Sequence, residues 1–234
     1  MREDIIAVIP ARGGSKGIRL KNIAMLGNKT LLEHTICHAL ASRLLGRIIV
    51  STDNKKIALV ASGYRRRGVE VFKRPRHISG DEAPMAAVLK HVLNEIKKSG
   101  GAKPRLIVTL QPTAPFRDPS SIDKAIRLAL GRRFDSVVAI CRSECSPFKM
   151  FVMGNQGLRW FIPSKLHSNN NRQLFPATYR GSGTVYVSQP DLIKEKNTVI
   201  GGRIGYIMVD ALQSVDINGP FDLEVARALY KRKR

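Results

Sequence analysis

The sequence is poor in long apolar runs, in aromatic side chains and in negative charge. No apolar stretch approaches the roughly 18 residues that cross a membrane, so we expect no membrane-spanning segment. Aromatic residues make up 6% of the chain, and they do not alternate with the basic stretches in the way that stacks nucleic-acid bases. Acidic residues number 18 against 40 Lys and Arg, and the resulting net charge of +22 favours an anionic ligand or partner.

Cysteine is also scarce. Three cysteines in 234 residues give no disulfide framework and agree with a reducing compartment. The short apolar stretch near the start follows acidic residues and leads directly into a glycine-rich loop, which is not the pattern of a signal peptide. We therefore expect a cytoplasmic protein. The chain has no internal repeat or clear linker, so we predict one domain over residues 1–234.

Strand and helix patterns alternate along the first two thirds of the chain. Buried strands are predicted at 5–10, 47–52, 69–74, 105–110 and 135–140, and helices at 30–45, after Pro84 and at 120–130. Asp53 is predicted to be the N-cap of a further helix after the second strand. Repeated units of this kind indicate an α/β fold with a mainly parallel sheet and helices on both faces. Ligands of such sheets bind beyond the carboxyl ends of the strands.

The pattern changes after about residue 148. A hairpin is predicted around Gly154 and Asn155, followed by a polar stretch without periodicity up to about residue 180. Such a stretch is either functional or disordered. Strand patterns return from Gly183 and include 214–217, and a helix is predicted over 220–231.

The loop after the first strand combines glycines with cations. Gly13, Gly14 and Gly17 let the backbone turn tightly and approach a ligand, and the same loop carries Arg12, Lys16, Arg19 and Lys21. Lys16 is not followed by the hydroxyl residue of a P-loop, and Arg12 replaces the first glycine of the dinucleotide fingerprint. Two interpretations remain, a phosphate-binding loop built from backbone N–H groups and cationic side chains, or a solvated basic turn.

Three further loops follow predicted strands and carry polar side chains. Residues 73–82 contain Arg74. Residues 110–118 form either a structural proline-rich turn or a loop in which Gln111 and Arg117 offer a neutral and a charged side chain to a ligand. In residues 214–223, Asp216 either holds Mg²⁺ beside phosphates, or caps a helix or pairs with a nearby arginine. A nucleic-acid-binding protein on the same scaffold would explain the net charge, but it would leave the four loops unexplained.

Four segments carry a resemblance to a known enzyme family: IPARGGSKGIRLKN, LQPTAPFR, YRGSGTVYV and SVDINGPFDLEVA, in this order. Over nearly its whole length the chain resembles the cytidylyltransferases that activate nine-carbon sugar acids, the CMP-N-acetylneuraminate synthetases and their legionaminate and pseudaminate relatives. The CMP-Kdo synthetases share the fold but differ in the opening loop, and they and other sugar nucleotidyltransferases remain alternatives.

The resemblance implies a three-layer, Rossmann-like nucleotidyltransferase fold. It implies that CTP and a sugar acid react in the presence of Mg²⁺ to give a CMP-sugar and pyrophosphate. It also implies a homodimer, with residues 148–180 as an inserted dimerisation segment.

The resemblance also assigns roles by position. Arg12, Lys16 and Lys21 are the expected catalytic residues, and Arg12, Ser15, Lys16, Lys21, Asn22 and Arg74 are expected to bind the nucleotide. The sugar acid is expected to contact Gln111 through its N-acyl group, and Lys149 and Arg180 through its other polar groups and its carboxylate. Asp216 is the expected magnesium ligand.

Two positions depart from the family pattern. Asn218 stands where the family has a second aspartate, which makes Asp210 and Asp222 candidates for a second carboxylate. Met85 stands where the sialate enzymes tend to have a serine near the base, and its side chain cannot form the same hydrogen bond.

Overall fold

The computed structural model describes residues 4–132, 134–163 and 175–232. In chain order its strands are β1 Ile5–Pro10, β2 Met25–Leu26, β3 Lys29–Thr30, β4 Arg47–Thr52, β5 Val69–Lys73, β6 Leu106–Thr109, β7 Ser136–Arg142, β8 Phe151–Gly154, β9 Gly157–Trp160, β10 Tyr179–Ser188 and β11 Ile204–Met208. The α-helices are α1 Leu31–Ala41, α2 Lys55–Ser62, α3 Met85–Lys98, α4 Pro119–Arg132, α5 Pro190–Lys196 and α6 Pro220–Arg232. Within these residues no helix combines the length and the apolar character needed to span a membrane.

Seven strands form the central sheet in the order β11-β7-β10-β6-β1-β4-β5. All neighbouring pairs are parallel except those of β10, which runs antiparallel to both β6 and β7. The prediction of a mainly parallel sheet is confirmed. From β1 the chain first adds β4 and β5 on one side and then β6 on the other, so the strand order reverses between β1 and β6. A crevice opens beyond the carboxyl ends of strands at such a reversal.

Helices cover both faces of the sheet. On one face, α1, α2 and α4 pack against the strands through Ile36, Ile57 and Ile126. On the other face, Leu89 and Val92 of α3 pack against alternate strand residues. The alternation follows from the strand period of two, which turns successive side chains of β1 to opposite layers. The predicted three-layer architecture is therefore confirmed.

Two local predictions are wrong. Asn54, and not Asp53, caps α2, since its side-chain oxygen accepts from the backbone N–H groups of Lys56 and Ile57. Residues 214–217 form no strand, because their backbone turns instead of pairing with the sheet edge. The backbone N–H of Ile217 donates to the carbonyl of Thr113 at 2.9 Å, which ties this turn to the loop after β6.

Helix boundaries also differ from the sequence pattern. The first helix ends at Ala41, short of the predicted residue 45, and it begins with a capping box between Thr30 and Glu33. Helix α5 is not indicated by the sequence pattern, because its seven residues are too short to show a period.

The predicted hairpin after residue 148 is present as β8 and β9. Phe151 and Trp160 stack across it with ring centroids 4.1 Å apart. The remainder of the predicted dimerisation segment lies partly outside the described residues, so that assignment stays a prediction.

Candidate active site

A cavity of about 440 Å³ lies beyond the carboxyl ends of the sheet strands. Of the site residues that the family resemblance assigns, all except Lys149 and Arg180 line it: Arg12, Ser15, Lys16, Lys21, Asn22, Arg74, Gln111 and Asp216. These residues come from the loops after β1, β5 and β6 and from the turn before α6. The folding of the sheet therefore brings four separated sequence segments to one place.

The opening loop is held in shape by its neighbours. Asp53 accepts a hydrogen bond from the backbone N–H of Gly13 at 2.8 Å, and Asn22 donates to the carbonyl of Arg12 at 2.9 Å. A Cβ at Gly13 would lie 2.6 Å from the amide nitrogen of Asn54, so the close approach requires glycine. Asp53, which the sequence pattern assigned to helix capping, therefore fixes the loop.

Two of the loop's cations face a carboxylate. Arg12 and Lys16 form ion pairs with Asp81 at 2.5 and 3.2 Å. The hydrogen bonds from Lys16 and Arg12 lower the pKa of Asp81, although its side chain is solvent-exposed. Asp81 also lines the cavity, so it lies beside the cations that were predicted to bind phosphate. The sequence offers one signal for this contact, an acidic residue in a loop that contains arginines, but it does not identify the partners of Asp81.

Lys21, at the other end of the opening loop, has a half-buried side chain. Its ammonium group donates to the carbonyl of Ile217 at 2.8 Å. Burial lowers the pKa of Lys21, and the negative charge of Asp216 acts in the opposite direction. Lys21 and Asp216 both line the cavity, and their opposite charges attract each other.

Asp216 has one carboxylate oxygen available. Its Oδ2 accepts from the side-chain amide of Asn218 at 3.2 Å, whereas Oδ1 is buried and has no hydrogen-bond partner among the described residues. An unpartnered carboxylate oxygen beside a polar cavity fits a magnesium ligand. No group of three or more His, Cys, Asp and Glu that could hold a metal occurs in the described ranges. A magnesium ion here would therefore depend on Asp216 together with substrate oxygens.

The two alternative carboxylates are engaged elsewhere. Asp222 accepts from the backbone N–H groups of Asn218 and Gly219, both at 2.8 Å, at the start of α6. Asp210 accepts from the backbone N–H of Gln213 at 2.7 Å. Neither of them lines the cavity.

Arg74 is a buried cation in the cavity wall, with 5% of its surface exposed. Its guanidinium donates to the hydroxyl and the carbonyl of Ser51 at 3.2 and 2.8 Å. Burial lowers its pKa to about 10, so it remains positively charged at neutral pH. Met85, the first residue of α3, lies in the same wall and supplies an apolar contact.

Gly183 brings β10 close to Gln111 and Asp216. It has a left-handed backbone with φ of +71°, and a Cβ there would lie 3.3 Å from the Gln111 side-chain oxygen and 3.8 Å from Asp216 Oδ1. Tyr186 on the same strand is another neighbour that the sequence analysis missed. Burial and the charge of Asp216 raise its pKa. The glycines of YRGSGTVYV were the only signal for this close approach.

Lys149 and Arg180 lie outside the cavity. The Lys149 ammonium is 5.2 Å from the ring centroid of Phe175. Arg180 donates to the carbonyl of Ser214 at 3.3 Å and lines a neighbouring cavity of about 480 Å³. Because Ser214 precedes Asp216 by two residues, Arg180 lies on the Asp216 side of the site. The sugar-binding roles of Lys149 and Arg180 stay predictions.

Arg117 is not available to a ligand. It was predicted to be a charged ligand contact, but 2% of its surface is exposed and its side chain donates to two main-chain carbonyls. That prediction is wrong, because the side chain folds back under its own loop.

Several curated proteins are similar to this chain over nearly its whole length. It is 27% identical to the post-translational flagellin modification protein B of Campylobacter coli and 27% identical to the CMP-N,N'-diacetyllegionaminic acid synthase of Campylobacter jejuni. Each similarity covers 98% of this chain and 96% of the relative. The N-acylneuraminate cytidylyltransferase of Escherichia coli is 30% identical over 100% of this chain, which spans 54% of that relative.

Solved structures share the fold. A CMP:2-keto-3-deoxy-manno-octonic acid synthetase complexed with CTP superposes with a TM-score of 0.72 at 14% identity, covering 98% of this chain and 99% of the other. The 4-diphosphocytidyl-2C-methyl-D-erythritol synthase of Anaerococcus prevotii gives 0.66 at 15% identity, covering 99% and 97%.

The sequence profile of one enzyme family matches this chain directly. The family is described as cytidylyltransferase, and the match covers residues 6–150, which is more than half of the chain and includes β1, β4, β5 and β6 with the loops that follow them. The chain is a nucleotidyltransferase enzyme and belongs to the cytidylyltransferase family.

Proposed function

We propose that this cytidylyltransferase activates a nine-carbon sugar acid, converting CTP and the acid to a CMP-sugar and pyrophosphate with Mg²⁺. One observation carries the proposal: residues assigned by family resemblance to the triphosphate, the base, the sugar and the metal line a single cavity. The names of the similar curated proteins, which include sialate, legionaminate and pseudaminate enzymes, support the same substrate class.

On the nucleotide side, Arg12, Lys16 and Lys21 provide the positive charge for the triphosphate. Arg12 and Lys16 would exchange the Asp81 carboxylate for phosphate oxygens when CTP binds, since the Asp81 side chain is exposed. Asn22 and the buried Arg74 supply polar groups for the nucleoside. Main-chain N–H groups of the glycine loop add uncharged donors.

On the acceptor side, the anomeric hydroxyl oxygen of the sugar forms a bond to the α-phosphorus. The bond from the α-phosphorus to the oxygen bridging the β-phosphorus breaks, its electron pair leaves with pyrophosphate, and the hydroxyl proton passes to solvent. The protein contributes by positioning the two substrates and neutralising charge. Asp216 would hold Mg²⁺, whose charge stabilises the leaving pyrophosphate when it is bound. Gln111, which lines the cavity, would contact the N-acyl group of the sugar acid.

We further propose a cytoplasmic homodimer. The described part of the hairpin region exposes large apolar side chains, with Met153 90%, Leu158 69% and Phe161 55% exposed. The edge strand β11 exposes Tyr206 and Met208 as well. Apolar surface of this extent is typical of an interaction face, and a second copy would cover it. Light scattering in solution, with Met153 and Leu158 changed to Ser as the test variant, should show a dimer that the variant weakens.

The decisive experiment is a substrate panel. Pyrophosphate release would be measured with Mg²⁺, offering each of the four nucleoside triphosphates with sialic, legionaminic, pseudaminic and Kdo acids. We expect release only with CTP and a nine-carbon acid. Release with Kdo alone would assign the enzyme to eight-carbon acids. A folded protein that releases no pyrophosphate with any substrate pair, yet binds duplex DNA with a steep salt dependence, would favour the nucleic-acid alternative.

A further inference from the structure

Arg117 is a fully buried cation that contacts neither solvent nor any carboxylate among the described residues. Its exposed fraction is 2%, and none of the ion pairs in the described ranges includes it. Nη1 is buried without a hydrogen-bond partner there. A buried charge without a counter-ion opposes folding unless its hydrogen bonds offset the cost, so the contacts that it does make are informative.

Those contacts join two segments of the acceptor side. Nε donates to the carbonyl of Thr184 at 2.6 Å, and Nη2 donates to the carbonyl of Gln111 at 2.8 Å. Gln111 follows the end of β6, whereas Thr184 lies where the pairing of β10 with β7 shifts register between Gly181 and Tyr186. The guanidinium is planar and carries donors in a fixed fork, so it sets the distance between the two carbonyls.

The same bulge also reaches the turn that carries Asp216. The Thr184 hydroxyl donates to the carbonyl of Gln213 at 3.0 Å. Gly183, next to Thr184, brings the backbone so close to Gln111 and Asp216 that a Cβ there would lie 3.3 Å from the Gln111 side-chain oxygen and 3.8 Å from Asp216 Oδ1. Arg117 therefore lies at one end of a short chain of contacts that leads to both side chains.

We infer that Arg117 is a positioning residue for the acceptor half of the site, acting through the bulge of β10. The inference rests on the proposed function, in which Gln111 and Asp216 face the sugar acid and the metal. The opening loop at Gly13 and the buried Arg74 of the nucleotide half are held by separate contacts, those with Asp53 and Ser51, whereas Lys21 bonds to Ile217 beside Asp216. Loss of the guanidinium should thus impair acceptor use and leave CTP binding intact.

The test compares Arg117→Lys and Arg117→Met with Arg47→Lys. Arg47 is a matched control, since its guanidinium pairs with Glu70 at 2.8 Å at the start of β4, at the other end of the sheet. Methionine removes the uncompensated buried charge, so that variant is expected to fold even if lysine is poorly tolerated. Steady-state kinetics would give KM for each substrate, and calorimetry would give the Kd for CTP.

We expect kcat/KM for the acid to fall roughly 100-fold in both Arg117 variants, the loss typical of a displacement of about 1 Å, with the Kd for CTP within about 2-fold of wild type. The Arg47 variant should keep both values. A merely structural role would lower thermal stability and weaken both substrates in parallel, and that result would overturn the inference.

A second readout needs no acceptor. Hydrogen exchange of residues 110–117 and 182–186 should be faster in the Arg117 variants, while the opening loop keeps its wild-type exchange. Unchanged exchange in these segments would overturn the inference even if the wild-type enzyme turned over no acid in the panel. If the wild-type enzyme turns over no acid but the Arg117 variants show the expected faster exchange, only the proposed function is contradicted.

Discussion

Asp216→Asn isolates the charge of the proposed magnesium ligand. The amide has nearly the size and shape of the carboxylate, and its oxygen can still accept the hydrogen bond that Asn218 donates to Asp216 Oδ2. What is lost is one anionic ligand oxygen. Metal stabilisation of transition-state charge contributes several kcal/mol, and a loss of about 4 kcal/mol lowers kcat about 1000-fold.

The fold should hardly respond. Asp216 attracts the half-buried Lys21 but forms no ion pair with it within 4.0 Å, so the loss in free energy of unfolding should stay below about 1 kcal/mol. That corresponds to a change in Tm of about 2–4 °C or less for a chain of this size. A large fall in kcat with a small change in Tm would thus identify a chemical and not a structural effect.

The assay is pyrophosphate release at saturating CTP and acid over a range of Mg²⁺ concentrations. Asp216→Asn should require more Mg²⁺ for half-maximal rate, in addition to its lower kcat. Asp210→Asn is the matched control, because it removes a carboxylate of the same turn that lies outside the cavity. Near-normal turnover of Asp216→Asn with an unchanged Mg²⁺ requirement would refute the metal assignment.

Three further predictions concern the cavity wall and the opening loop. Gly183→Ala should destabilise the fold by about 1–2 kcal/mol, because its φ of +71° is left-handed, and should raise KM for the acid by crowding Gln111. Denaturant unfolding measures the first effect and steady-state kinetics the second, and the absence of either would contradict this role of Gly183. Asp81→Asn should lower KM for CTP about 2- to 5-fold by releasing Arg12, and a raised KM would mean that Asp81 orders the loop instead. Burial lowers the pKa of Lys21 below 10.5, so KM for CTP should rise at alkaline pH as the ammonium deprotonates; Lys21→Arg should move that rise to higher pH, and an unshifted profile would assign the titration elsewhere.

Much of the fold could be predicted because local patterns determine it. Six of the seven sheet strands are parallel, and apolar runs in the sequence predict them. The signal is clearest for the central strands β1 and β6, which are buried on both faces and therefore almost wholly apolar. The antiparallel direction of β10 could not be predicted, because the aperiodic stretch before it gives no indication of the path of the chain. Residues 214–217 have the alternation of a strand but lie beyond the sheet, and Ile217 is buried against α6 instead.

The site was predictable in composition but not in its contacts. The glycine loop and Asp216 could be identified from residue type and family resemblance, whereas the ion pairs of Asp81 depend on how two loops meet in space. The role of Asp53 was misassigned for the same reason, since its acceptor contact with Gly13 spans 40 residues. Arg117 looked like a ligand contact because an arginine in a proline-rich turn is normally exposed.

The way the buried cations are paired bears on how the site can hold two anionic substrates. Arg74 and Arg117 donate to main-chain carbonyls or a hydroxyl, and among the described residues neither forms an ion pair. A carboxylate partner would cancel their charge, but carbonyl partners satisfy the donors and leave the positive potential in place. Burial lowers the pKa of Arg74 to about 10 and that of Arg117 to about 9, so both remain protonated at neutral pH.

Only the exposed Asp81 neutralises cavity cations through ion pairs in the described part of the site, and an exposed carboxylate can be displaced by phosphate at little cost. The arrangement thus keeps positive charge in the cavity wall at Arg74 and behind it at Arg117, while the carboxylate that pairs with Arg12 and Lys16 is replaceable. This suits an enzyme that brings a triphosphate and a carboxylic acid together.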